Sequence, residues 1–144
     1  MKKMTVLHTI LIILAVLALT SIAANGGRKF TTTLTGAAEA PGPGDPDGTG
    51  TAEITLNHGH GTVCWEITVS GIDTATRAHI HKAPAGVPGP IVVPILEPGV
   101  GSLNGCTEAD RDLIKDIIQH PEEYYVNVHN AAFPAGAVRG QLSK

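Results

Sequence analysis

The 144-residue sequence predicts an all-β domain, a Greek-key β-sandwich or barrel with one short helix in a long connection. Three observations predict it. Apolar and polar residues alternate with a period of two along much of the chain, as in strands with one buried and one wet face. Most of the seventeen glycines and ten prolines fall between those stretches, where turns are needed. A single stretch near residue 113 changes to helical spacing.

Residues 1–24 stand apart from this pattern. "MKK" gives a positive start, "ILIILAVLAL" an apolar run and "TSIAAN" a small-residue exit, the layout of a secretory signal peptide cleaved after Ala23 or Ala24. The alternative is an uncleaved N-terminal anchor, but ten or so apolar residues are short for a span of about 20. No Cys follows the run, which argues against a lipid anchor. The rest, residues 28–144, reads as one domain with one core.

Ten Lys and Arg face thirteen Asp and Glu; without Lys2 and Lys3 the balance is eight against thirteen, a net charge of −5. A mildly acidic chain without basic clusters is a poor partner for nucleic acid or an anionic membrane. Export implies a secreted or periplasmic location and an oxidising compartment, where Cys64 and Cys106 are expected to pair. The alternative is one strand thiol and one loop thiol.

In order along the chain, "KFTTTLTG" (29–36) is β-branched and reads as a strand. Residues 39–50, "EAPGPGDPDGTG", form a loop. "GTAEITLN" and "GTVCWEITVSG" make a hairpin around the turn "HGHG", with Cys64 in its second strand. "TRAHIHKA" follows as a strand, then the turn "PAGVPGP" and the apolar strand "IVVPIL". In "CTEADRDLIKDIIQHPEE", Leu113, Ile114, Ile117 and Ile118 recur at helical spacing. Thr107 and Asp110 make a capping pair and Pro121 stops the run. "YYVNVHN" and "AVRGQL", joined by "AAFPAG", complete about seven strands.

Candidate chemistry rests on histidine. His79 and His81 project from one face of a strand, with Cα atoms about 6.5–7 Å apart. At that separation two imidazoles can meet one ion through bonds of about 2 Å. The pair alone is a weak signal and reads first as two polar positions on a wet face. In "YYVNVHN", Tyr125, Asn127 and His129 share one face, and the valines mark the other as the core side. His129 therefore offers a third ligand at a strand end, or else a surface histidine beside a loop. Arg139 lies ten residues on, in the returning strand, where its guanidinium could stand over the open position and orient a small anion. Its alternative is an exposed arginine paired with an acid.

His58 and His60 flank Gly59 in a turn and read as solvent-facing, with an accessory metal site as the alternative. His120, at the helix C-terminus, suits the dipole there or could serve as a fourth ligand. Trp65 and Leu113 read as core. A phosphate loop, a CxxC pair and a serine nucleophile elbow are all absent, and "EADRD" reads as the solvated start of the helix.

The blocks "LTGAAEAPG", "RAHIHKAPAGVPGPIVVPIL" and "YYVNVHNAAFPAGAVRGQL" resemble the CHRD domain, named from chordin and common in exported bacterial proteins. The match runs from Phe30 to Leu142 and implies an immunoglobulin-like or related Greek-key fold. A looser similarity concerns the site. A His-x-His strand, a later "V-H" strand end and a C-terminal arginine resemble the copper site of copper/zinc superoxide dismutases. That resemblance implies His79, His81 and His129 as copper ligands, Arg139 as anion guide, and dismutation of superoxide by alternating one-electron steps. The departures are a missing zinc-site set, a missing metal-bridging His, a closer arginine and a different cysteine pattern. What remains is a copper-only His₃ site; zinc is the rival metal, since three histidines with an open position also suit it. The expectation is therefore an exported copper-binding domain with superoxide dismutase chemistry. The alternatives are a copper carrier without turnover and a non-catalytic extracellular module for a protein partner.

Overall fold

Every alternating stretch becomes a strand in the computed structural model, which describes residues 26–144; the expected leader, residues 1–24, lies outside them. In chain order these are β1 (Arg28–Thr35), β2 (Thr49–Asn57), β3 (Thr62–Ser70), β4 (Ala75–Lys82), β5 (Ile91–Glu97), β6 (Val100–Gly101) and β7 (Asn104–Glu108). Helix α1 (Arg111–Gln119) and strands β8 (Tyr124–Asn130) and β9 (Val138–Gln141) follow. All pair antiparallel in one sheet of order β6-β5-β4-β8-β9-β1-β2-β3-β7. The β3–β4 and β7–β8 connections join strands that are not neighbours, as a Greek key requires.

The sheet curls into a nearly closed barrel, so the barrel form of the expected architecture is the one adopted. Its two edges, β6 and β7, are consecutive in the chain and separated only by Ser102 and Leu103. The connector between them is tied to β3. Ile67 N–H donates to the Leu103 carbonyl at 2.8 Å and the Trp65 indole donates to the Ser102 carbonyl at 2.8 Å.

These two short strands were not foreseen, because "NGCTE" shows no apolar alternation. Pairing makes β7 a strand: Cys64 lies directly opposite Cys106, and the two form a disulfide. Thr107 consequently belongs to β7 and cannot cap the helix. Asp110 is the N-cap instead, its carboxylate accepting from Leu113 N–H at 3.0 Å. Ile114 and Ile117 are fully buried, while Leu113 and Ile118 are partly buried against the core. The amphipathic period thus docks α1 against the barrel. Asp116 fastens it further, bonded to Lys82 Nζ at 2.6 Å and to the Tyr124 hydroxyl.

The apolar interior gathers alternate residues of every long strand, among them Leu34, Ile54, Val63, Ile80, Val126 and Val138. β8 departs from simple alternation, since all seven of its residues are buried. Its valines face the apolar core. Its other face, where β4, β8 and β9 run side by side, lies under loops. The register there sets His79 opposite Asn127 and Asn127 opposite Arg139, with His81–Tyr125–Gln141 in the next row and Arg77–His129 on the other side. Among the described residues no helix is long and apolar enough to cross a membrane.

Candidate metal centre

The polar face of β4 and β8 brings the three foreseen histidines together. One nitrogen from each of His79, His81 and His129 lies within 4.8 Å of those of the other two. They are the one group of three His, Cys, Asp or Glu side chains placed to share an ion among the described residues. All three are buried. Strand alternation accounts for the shared face, and antiparallel register for the approach of His129 to His79.

The outer nitrogen of each ring is committed. His79 Nε2 lies 2.8 Å from Glu97 Oε1, His81 Nδ1 2.8 Å from the Gly89 carbonyl, and His129 Nδ1 3.1 Å from the Pro134 carbonyl. Carbonyl and carboxylate oxygens only accept, so each of these nitrogens carries the hydrogen. In neutral imidazoles the lone pairs then reside on His79 Nδ1, His81 Nε2 and His129 Nε2. His79 Nδ1 and His129 Nε2 stand 3.2 Å apart, while His81 Nε2 is buried without any hydrogen-bond partner. Hydrogen-bonding the far nitrogen to an oxygen is how proteins orient histidine ligands.

The dimensions fit an ion. Two ligands at about 2 Å with a tetrahedral angle lie about 3.3 Å apart, close to the His79–His129 separation. The full set spans 4.8 Å, so His81 must close by roughly 1.5 Å to complete three such bonds. Electrostatics favour the unprotonated form of His81 and His129. Burial, and then the neighbouring His79, lowers the His129 pKa to about 4, against the opposing effect of the Pro134 contact. Burial likewise lowers that of His81, partly offset by its bond to Gly89.

A second layer holds the 83–90 loop over the site. Arg139 donates to the carbonyls of Val87 and Pro84, both at 2.9 Å, and to Gln141 Oε1 at 3.0 Å. Gln141 Nε2 donates to the Ala83 carbonyl at 2.8 Å, and Gly89 N–H to the Tyr125 hydroxyl at 3.2 Å. A side chain at Gly89 is excluded, since a Cβ there would lie 2.1 Å from the Lys82 carbonyl oxygen. The Tyr125 ring stacks on His81, with centroids 4.8 Å apart and planes 5° apart, and the Arg139 guanidinium lies 3.4 Å from its centroid. Arg139 therefore arrives on the foreseen face but is 1% exposed, its donors engaged by the loop and by Gln141.

Residues that sequence reasoning passed over complete the surroundings. The Asn127 side-chain amide lies 3.0 Å from His129 Nε2. With the His129 hydrogen on Nδ1, that amide must turn its Nδ2 hydrogen to the Nε2 lone pair, since Oδ1 also only accepts. The residue was placed on the right face but given no role. Glu97 meets His79 across the register shift between Ala78 and His79 in the β4–β5 pairing, which no sequence pattern announces. Glu39, in a segment read only as loop, is buried with Oε1 unpartnered. Burial raises its pKa to about 7, against the charge of Arg139, the Ala40 N–H and the Asn127 side chain.

The remaining histidines lie elsewhere. His58 and His60 are exposed in the β2–β3 turn, where His60 N–H bonds Asn57 Oδ1 at 2.9 Å. His120 is exposed at the C-cap of α1. None of these three joins the cluster.

Comparison with known families gives one match: the CHRD domain model covers residues 30–142. No curated protein and no solved structure matches the chain.

Proposed function

Since the chain belongs to the CHRD domain family, we propose that it is an exported domain that binds copper through His79, His81 and His129. The carrying observation is the convergence of one nitrogen from each of these three buried rings, with their outer nitrogens held by oxygen acceptors. Imidazole donors suit copper in both oxidation states, and Cu(II) outranks Zn(II) on nitrogen ligands. A disulfide between β3 and β7 and the extracellular habit of CHRD domains support export.

Bound copper would supply one-electron exchange, which for superoxide balances as two superoxide ions and two protons giving O₂ and H₂O₂. The protein's part is to present three neutral imidazoles, to exclude bulk water with the 83–90 loop, and to hold that loop through Arg139. A cation so placed also adds positive potential for a small anion.

Titration of the purified protein with Cu(II), followed by electron paramagnetic resonance and a superoxide assay, tests this. The expected result is one tight site with nitrogen hyperfine structure, abolished in His79→Ala/His81→Ala. Binding that survives in that variant sinks the site. Tight zinc binding in preference to copper would replace the metal. Binding without turnover would make the domain a copper carrier, a reading favoured by the near closure of the site, whose ligands are 2%, 8% and 7% exposed. No metal binding at all would leave a protein-binding module, for which Val87 and Ile91 offer the exposed apolar surface.

A further inference from the structure

The three histidines differ in what holds them. His81 and His129 give their hydrogens to backbone carbonyls, of Gly89 and Pro134, which any sequence would supply. His79 instead gives its hydrogen to a side chain, Glu97. A neutral imidazole has one N–H, and for His79 two places compete for it. On Nε2 it meets the Glu97 carboxylate at 2.8 Å; on Nδ1 it would meet His129 Nε2 at 3.2 Å. The second arrangement is an acceptable N–H···N bond, and it would consume two of the three ligand positions at once.

We propose that Glu97 is the positioning residue of this site. By accepting the Nε2 hydrogen it keeps His79 Nδ1 bare and stops the three-histidine set from closing on itself by an internal hydrogen bond. A carboxylate is the stronger acceptor and stands closer than the rival imidazole. Arg77 supports it, with Nε 3.7 Å from the other carboxylate oxygen. The ligand set is thereby one Nδ1 and two Nε2 atoms, an asymmetry imposed by β5 rather than by the strands that carry the histidines. Glu97 is the last residue of β5, and its side chain is 42% exposed whereas that of His79 is 3% exposed. The tautomer of a buried ligand is therefore set from the surface. The proposal rests on the metal-binding reading above for its consequence, though not for the tautomer itself.

Long-range ¹H–¹⁵N NMR of the metal-free protein at pH 8 reads the tautomer directly. Wild type is expected to show His79 with hydrogen on Nε2. In Glu97→Ala the hydrogen moves toward Nδ1 and copper affinity falls about 10- to 100-fold, while the urea midpoint shows whether the fold persists. Glu97→Gln, whose Oε1 still accepts, recovers most of both. Hydrogen on Nδ1 in wild type overturns the proposal, as does an Ala variant with unchanged tautomer and unchanged affinity. A tautomer that switches in a protein binding no copper would refute the metal reading and leave the positioning role standing.

Discussion

Replacing Glu39 by Gln should make the domain more stable at alkaline pH and leave it unchanged in acid. Glu39 is buried, and a Cβ on Gly136 would lie 2.4 Å from its carboxyl carbon, so the backbone is packed directly against the group. Burial raises its pKa from 4.5 to about 7, with Arg139, the Ala40 N–H and Asn127 recovering only part of the lost solvation. At about 1.4 kcal/mol for each tenfold change, that displacement corresponds to about 3 kcal/mol. The fold prefers the neutral acid, so the native state retains a proton that the unfolded chain releases. The contribution is complete below pH 4.5 and is lost as pH rises through 7.

Gln carries no charge to bury, and the difference between the two proteins isolates this group from all others that titrate. Urea unfolding of both from pH 4 to pH 8.5 should show near-equal stability at pH 4. Glu39→Gln should lead by up to about 3 kcal/mol at pH 8, or roughly 10 °C in Tm. A constant difference across that range would refute the reasoning, because it would mean that Glu39 titrates alike in the folded and unfolded chain.

Three further outcomes are expected. Cys64→Ala/Cys106→Ala opens a loop with a sequence separation of 42 residues and should cost about 4 kcal/mol in the urea midpoint analysis; a change below 1 kcal/mol would mean that pairing with β3 alone fixes β7. Arg139→Lys keeps the charge but loses the fork that reaches Val87, Pro84 and Gln141, so stability should fall by about 2 kcal/mol or more. Amide exchange at residues 84–89 should accelerate with it. Cu(II) at a free concentration 1,000 times its Kd should stabilise the native protein by about 4 kcal/mol, and a thermal shift in wild type that disappears in His129→Ala would confirm that the third histidine contributes.

Much of this arrangement is written locally in the chain. Alternation in "AHIH" and "YVNVH" is enough to place His79, His81 and His129 on the face opposite the valines, because strand geometry leaves no other choice. The disulfide was expected from two cysteines and the compartment that an exported chain would meet, although the strand carrying Cys106 was not. β7 exists through its partner β3, and an edge strand held by pairing and a covalent bond need show no pattern of its own. For the same reason Thr107 misled and Asp110 became the cap. The outer contacts of the histidines were illegible throughout. Glu97 reaches His79 only because β4 and β5 slip in register, and Gly89 and Pro134 act through carbonyls that every residue has. Arg139 was placed on the correct face, yet its donors meet a loop whose path no periodicity describes.

β8 has an interior on each side, apolar on one and polar on the other, with a single backbone between them. Tolerance to substitution along it should therefore alternate in kind rather than in degree. At Val126 and Val128 a replacement is judged by volume, so a change of size should fail where a change of shape alone passes. At Tyr125, Asn127 and His129 it is judged by donors and acceptors, so an apolar residue of equal size should fail. A strand with one wet face offers every second residue to neutral drift; this one offers none. A saturation scan of residues 124–130 should accordingly find no permissive position, and two incompatible alphabets interleaved at a period of two.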